Sequence, residues 1–505
     1  MSEIPFIGGT YEARSKRFDA QRTINLYPEA SGSGQSKAIA SLIGAPGLKR
    51  WASVGTGQVR GMLRISDVLA IAVVGRYLYS VGRAGDTTLR GMLQTNTGPV
   101  SMASNGNQVM VVDGPCGYFL EINTLTMTQI SDPAYTGADR VDFVGGYFVW
   151  NDRATQKFQI AGPYSETIDP LDFASAEGSP DNLVSLQANV KDVWLFGDVS
   201  TEVWGLVADA DFPLQAIQGA FLDVGCAAPH SVAKIGGTLL WLAKDEHGAL
   251  SIHQSQGYAS KPISPPGIEK YLGEMSDVSD AVGYTYQQEG HAFYMLSFPT
   301  GDRTLCYDLS TSLWHERAYR DPDTAALGRH RSNCHMAFAG KHLVGDWEVG
   351  HIYELDLDTY TDDGDTMPAI RQFPHVASGG KWQFFDRLWI DMETGVGEET
   401  DSISAGSGGV FGSIFGSVFG GIFGRRTAGA QTVTQPNMML EWSDDGGWTF
   451  PNRVLVPIGR IGERMARAVA RRLGKSRDRV WRVTITDPVK RVFIGADADV
   501  RVGAS

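Results

Sequence analysis

The sequence predicts an all-β protein, a β-propeller joined to a β-rich platform, on three observations. Between about residues 58 and 365 the chain breaks into short runs, mostly four to seven residues, rich in Val, Leu, Tyr, Phe and Trp. Each is bounded by Gly, Asp or Asn, as strands between tight turns are. Long amphipathic helical patterns are nearly absent from the same region. Pairs built from an apolar strand, a turn and a Tyr- or Trp-bearing strand recur, starting near Met62, Met102, Val141, Val193, Gly237, Ala292 and His342. The interval of ~40–50 residues is that of a four-stranded blade, so about 300 residues hold six or seven blades. Six is the favoured count, and a pair of β-sandwiches is the alternative the pattern leaves open.

Taken in order, residues 1–57 read as an extended arm, in which "INLYPEASGSGQSKAIASLIGAPGL" alternates short apolar pieces with Pro, Gly and Ser. The propeller, 58–365, follows with strands such as "VRGMLRI", "VLAIAVV", "RYLYSVG", "YFVWND", "DVWLFG", "TLLWLAKD" and "AFYMLSF". Residues 366–505 form a different unit, where "WQFFDRLWIDME", "NMMLEWSDD", "VWRVTITD" and "VKRVFIGADADV" surround a Gly/Phe-rich insertion at 406–426. Charge shifts here: residues 453–491 hold twelve Lys/Arg against Glu463, Asp478 and Asp487. "ERMARAVARRLGKSRDRVWRV" fits either a basic helix or two charged strands around a "GKSRD" turn. Strands are favoured for its last half, because Trp481, Val483 and Ile485 alternate with Val480, Arg482 and Thr484.

Composition narrows the function classes. A length of 505 residues suggests roughly three units as a soft prior. Hydrophobic residues at 42% and charged residues at 20% suit a globular chain with a sizeable core, and 60 Gly with 12 Trp and 17 Tyr suit many turns between aromatic-rich strands. The formal net charge of −13 argues against general binding to phosphate backbones, which needs Lys and Arg to displace counterions. It leaves room for an acidic channel along which DNA slides without adhering. Cys116, Cys226, Cys306 and Cys334 are far apart with no CxxC pair, as expected for a reducing cytoplasm. The N-terminus lacks the order of a secretory signal, and no run reaches the ~20 apolar residues of a spanning helix. The expectation is a chain made soluble in the cytoplasm.

No stretch nominates catalysis or a cofactor. "SDDGGWTF" (443–450) has the turn pattern seen repeatedly in sialidase-type propellers, but one copy outside the repeat region says only that a hairpin forms. A glycosidase would need paired carboxylates or a Tyr nucleophile with an acid partner. His330, Cys334, His335 and His342 are close in sequence, yet their spacing matches no zinc pattern, and adjacent Cys334 and His335 face opposite ways on a strand. Polar residues at a blade edge are the preferred reading. "DLDTYTDDGD" (356–365) departs from a Ca²⁺ loop and reads as a solvated turn. There is no P-loop. For the basic stretch three readings stand: a nucleic-acid face, a docking face and a solvated edge. Trp481 is its one aromatic, which disfavours base stacking. Docking on an acidic partner is preferred, with Arg471, Arg472, Lys475, Arg477 and Arg479 as the surface.

Several long stretches resemble the packaged-DNA stabilisation proteins of short-tailed bacteriophages, also described as the tail hub or tail nozzle. They are "INLYPE" (24–29) with "GAPGL" (44–48), "DPLDFASAEGSPDNLV" (169–184) followed by "DVWLFGDVSTEVW" (192–204), "HLVGDWEVGHIYELDLDTYTDDG" (342–364) and "RRLGKSRDRVWRVTITDPVKRVFIGADADV" (471–500). The resemblance implies a non-enzymatic virion tail protein, a homo-hexamer below the portal and a head–tail adaptor ring. Propellers would wall the lower channel, and the N- and C-terminal segments would unite as a platform that also offers docking surfaces for tail fibres or spikes. Packaged double-stranded DNA would be retained and then passed at ejection, without sequence-specific contacts. A receptor-binding propeller adhesin, with Trp faces for sugars, is the alternative.

The Gly/Phe repeat is not part of that resemblance. Val410, Phe411, Ile414, Phe415, Val418, Phe419, Ile422 and Phe423 recur at four-residue spacing with Gly between them. As a helix, residues 410–424 would extend ~22 Å, short of a ~30 Å hydrocarbon core. Three roles stand: an apolar surface insertion, a seal packed from six copies across the channel, or a segment that meets the host membrane at ejection with Arg425 and Arg426 at the headgroups. An apolar strip left in water invites aggregation, which favours the last two, and the seal is preferred.

Overall fold

Apolar runs such as "LAIAVV" lack the alternation of a half-buried strand because both of their faces are covered. In the strand Leu69–Val74, Ala70, Ala72 and Val74 join one hydrophobic layer while Ile71 and Val73 join the next, and all five are fully buried. Successive side chains of a strand point to opposite faces, so one such strand serves two layers. The computed structural model describes residues 2–32, 35–162, 165, 168–208, 212–397 and 435–503.

Seven antiparallel sheets follow one another, their innermost strands beginning at Val59, Ser101, Val141, Leu183, Ala233, Val282 and Ser332. Each consecutive pair encloses its own apolar layer. Seven such layers close a ring, the last joining Met336, Phe338 and Leu343 to Val59, Met62 and Ala70. The seven strand pairs read from the sequence fall one in each blade. The favoured count of six blades is therefore corrected to seven. The seventh blade is composite: Ser332–Phe338, Lys341–Asp346 and Gly350–Asp356 take their fourth strand from Gly47–Gly55, in a register that sets Ile352 against Ala52 and Leu355 against Leu48. That strand lies within the stretch expected to be arm, so a count confined to 58–365 runs one strand short.

The second unit is a sandwich of two sheets. One runs Leu26–Ala30, Ala40–Gly44, Val492–Val502, Gln383–Met392, Ala468–Arg471, with Ser2–Ile4 paired to Val492–Val502. The other runs Ala20–Ile24, Ala369–Gln372, Asp478–Ile485, Asn437–Ser443, Asn452–Pro457. Phe6, Leu26, Phe385, Leu388, Met438, Trp481, Val483, Ile485 and Phe493 fill the space between them. The basic stretch is thus strand on both sides of its turn, with Trp481, Val483 and Ile485 inward. The one α-helix among the described residues, Pro266–Glu274, packs Ile268 and Leu272 into the layer between blades five and six. The Gly/Phe-rich insertion, including Val410 to Phe423, lies outside the described residues.

The two units share a sheet. Ala20–Ile24 pairs in parallel with the outer strand of the sixth blade, Leu313–Arg320, and antiparallel with Ala369–Gln372. The "INLYPE" motif sits on this seam: Ile24, Asn25, Leu26 and Tyr27 are all buried. Asn25 adopts φ +54°, a region Asn tolerates, and its amide donates to Ala318 O (2.8 Å) and Pro368 O (2.9 Å) while its Oδ1 accepts from Ala318 N (3.0 Å). In "GAPGL", a Cβ on Gly47 would collide with the carbonyl oxygens of Thr359 and Thr361, so only Gly lets the closing strand approach.

Candidate docking face and axial site

The turn between Ala468–Arg471 and Asp478–Ile485 exposes Arg471, Arg472, Lys475 and Arg477. Lys475 and Arg477 stand 4.7 Å and 4.9 Å from the Trp382 ring, a cation–π geometry that leaves their charged ends in water. The face continues along the preceding loop, where Arg460, Arg464 and Arg467 flank Ile461 and Met465, the latter 92% exposed. Exposed apolar side chains among arginines are the composition of protein interfaces.

Arg479 does not belong to this face, which corrects its place in the expected set. It is 1% exposed and donates Nε and Nη2 to Asp444 Oδ1 and Oδ2 (2.6 and 2.9 Å), and Nη1 to Leu473 O (2.6 Å). Its guanidinium lies 4.7–5.3 Å from the rings of Phe385, Trp442 and Trp481. The cause is strand period: residue 479 shares a face with Trp481.

Asp444 belongs to "SDDGGWTF", which forms the hairpin expected of it. Asp445 accepts from the backbone N–H of Trp448 (3.0 Å) and Thr449 (3.1 Å) and from the hydroxyls of Ser443 and Thr449. These bonds, the Ser443 and Thr449 hydroxyls first, hold its carboxyl well below the usual range. The clasp presents Trp448, 64% exposed, beside the loop that carries Arg14, Lys16, Arg17 and Phe18. Lys16 Nζ lies 5.1 Å from the Trp448 ring. No pattern in the sequence marks Lys16 and Trp448 as neighbours, since the two loops are over 400 residues apart. Trp448 is also the sole exposed member of the 12 tryptophans; the others are partly or fully buried.

Between the sixth blade and the sandwich a cleft of about 710 Å³ carries Arg22, Arg320, Arg453 and Arg482 around Ile370 and Met439. Arg453 and Arg482 are both paired with Glu441.

Cys334 and His335 lie on Ser332–Phe338, the innermost strand of the seventh blade, which forms one edge of that sheet. His335 Nε2 is 3.2 Å from His342 Nδ1, and burial pulls both His335 and His330 down to about 3. Burial pushes the Cys334 thiol up to about 12. Among the described residues no three His, Cys, Asp or Glu side chains gather as a metal site. "DLDTYTDDGD" is not simply a solvated turn: Asp362 is buried against the closing strand, and Asp363 pairs with Arg50.

The axis of the propeller is narrow. All seven blades contribute to a cavity of about 220 Å³ lined by Arg60, Arg140, Asp142, Gln187, His230 and Asn333, among others. A sphere of that volume is about 7–8 Å across, whereas the major groove of a duplex alone is ~12 Å wide.

Two family models match the chain: "Bacteriophage P22 Gp10, beta-propeller" over residues 2–360, and "Bacteriophage P22 Gp10, beta-sandwich" over residues 419–501. The first part of the Gly/Phe repeat falls between them. Among solved structures, the WD40 β-propeller domain of Doa1 is 9% identical, with 61% of this chain and 97% of that chain covered at a TM-score of 0.39. The RRP9 WD40 repeats are 9% identical, with 62% and 99% covered at a TM-score of 0.41. No curated protein matches.

Proposed function

The chain belongs to the bacteriophage P22 Gp10 family, and from that membership we propose that this structural protein of the phage tail is a nozzle that retains packaged DNA and guides it at ejection. Six copies form a ring under the head–tail adaptor. Because the axial cavity of each propeller, about 220 Å³, is far too small for a duplex, the duplex runs between subunits, along propeller walls, and not through a propeller.

The observation that carries this reading is the partition of charge. Residues 58–365 hold 19 Lys/Arg against 39 Asp/Glu, a net −20, while the rest of the chain holds 25 against 18, a net +7. A strongly acidic wall repels a duplex within a Debye length, ~8–10 Å at physiological salt, and so keeps it from adhering. The basic sandwich supplies complementary docking for neighbours, fibres or spikes through Arg471, Arg472, Lys475 and Arg477. The protein acts without a cofactor and without catalysis. Val410 to Phe423 seal the closed channel, or meet the host membrane when it opens.

The test is on virions. Particles lacking the protein are expected to lose DNA and to regain retention when the purified chain is added back; full, stable particles without it overturn the nozzle. Deleting 410–424 separates the roles of the repeat: spontaneous emptying supports the seal, and adsorbed particles that keep their DNA support the membrane step. Normal ejection makes the repeat dispensable. Saturable binding of host polysaccharide by the isolated chain would support the adhesin instead, but of the 12 Trp that suggested it only Trp448 is exposed.

A further inference from the structure

The axial cavity is cationic inside a propeller that is strongly anionic, and that inversion needs a reason. Two guanidinium groups line it. Arg60 is saturated by the chain, donating to Gly98 O, Gly75 O, Thr95 O, Thr97 O and Thr95 Oγ1 at 2.6–3.0 Å. Arg140 is not: its Nη2 donates to Gln187 Oε1 (2.8 Å) and Val232 O (3.4 Å), while its Nε is buried with no partner among the described residues. The one carboxylate nearby, Asp142, is committed elsewhere, accepting from Gln187 Nε2 (2.5 Å), Ala188 N (2.7 Å) and Phe143 N (2.8 Å).

A partly buried guanidinium whose Nε has no partner among the described residues, and whose one lining carboxylate is hydrogen-bonded to other groups, is a cation still short of an anion. His230, also lining the cavity, makes no ring hydrogen bond among the described residues, and burial with the Arg140 charge pulls it down to about 3, so the imidazole is neutral with one N–H to donate. The volume, about 220 Å³, is roughly seven times that of a liquid water at ≈ 30 Å³. We propose that the axial cavity is a binding site for a small oxyanion of phosphate size, held by Arg140 and by the ring N–H of His230. Nothing in this assignment depends on the nozzle reading.

The experiment uses the full chain and inorganic phosphate, with potassium chloride at matched ionic strength as reference. Calorimetric titration is expected to give one saturable site per chain, and thermal melting a phosphate-specific rise. Arg140→Gln and His230→Gln should each weaken phosphate at least tenfold while melting near the parent without it. No saturable binding by the parent chain, or unchanged affinity in both variants, overturns the site. Should Arg140→Gln fail to fold, the ring C–H resonance of His230 in the parent decides. An anion beside it must shift that resonance saturably, and an unmoved signal overturns the proposal.

Discussion

Glu316, in the outer strand of the sixth blade, accepts both Nε and Nη2 of Arg22, in the N-terminal segment of the sandwich, at 3.1 and 2.7 Å. Arg303 donates to the same carboxylate from its own blade at 2.8 Å. The carboxylate is 2% exposed. Burial opposes its charge, but the two arginines outweigh burial and hold it down to about 2. One acidic side chain therefore stitches the propeller to the sandwich across nearly 300 residues of sequence.

Glu316→Gln leaves two partly buried guanidinium groups without their anion, a loss expected at up to about 3 kcal/mol. The pH dependence checks the cause. A folded-state value near 2 lies below the ordinary Glu value of ≈ 4.3, so this stabilisation is complete above pH ~4.5 and is lost as pH falls towards 2. Denaturant titrations at pH 7 and pH 3 should show the variant far weaker at pH 7 and the gap narrowing at pH 3; an equal gap at both would assign the loss to packing.

Asp362 predicts the opposite sign. Both its carboxylate oxygens are buried without a partner among the described residues, and burial raises it to about 7 despite the Arg491 charge. A folded value above the ordinary Asp value of ≈ 3.9 means that stability falls as pH rises from about 4 to 7. Asp362→Asn should raise stability at pH 8 by a few kcal/mol and change little at pH 4. Melting curves at the two pH values read it directly, and a destabilised variant at pH 8 would show that the carboxylate is paired after all.

Arg479→Lys keeps the charge but loses the two-pronged grip on Asp444, so the sandwich should lose ~2–3 kcal/mol. The readout is the fluorescence of Trp442 and Trp481, which flank the guanidinium. An unfolding midpoint within error of the parent would contradict the assignment of Arg479 to the core.

Reversing Arg471, Arg472, Lys475 and Arg477 to Glu removes charge from an exposed turn, where substitutions usually stay within ±0.5 kcal/mol each. Monomer melting should barely change while incorporation into particles drops. Normal incorporation would return the turn to a solvated edge.

Much of this was legible locally. Strands covered on both sides, such as Leu69–Val74, announced themselves as apolar runs, and the spacing from Met62 to His342 marked every blade. Arg479 was legible too: the alternation that sends Trp481, Val483 and Ile485 inward sends residue 479 with them, but its charge drew it into the surface set. The closing strand was not legible, because "GLKRWASVG" carries nothing local to say that its partner is Gly350–Asp356. The contact of Lys16 with Trp448 and the convergence of Arg140 on His230 are equally products of distant closure.

The borrowed strand of the seventh blade also sets an order of events. Gly47–Gly55 leaves the ribosome about 280 residues before Ser332, which at ~5–20 residues per second means waiting roughly 15 to 60 seconds for the strands it must join. Through that interval the nascent ring stays an open arc with two unsatisfied ends. Its completion is a late, non-local step of the kind that makes folding slow, and a chain truncated anywhere before Asp356 keeps an exposed edge on which a second chain can pair.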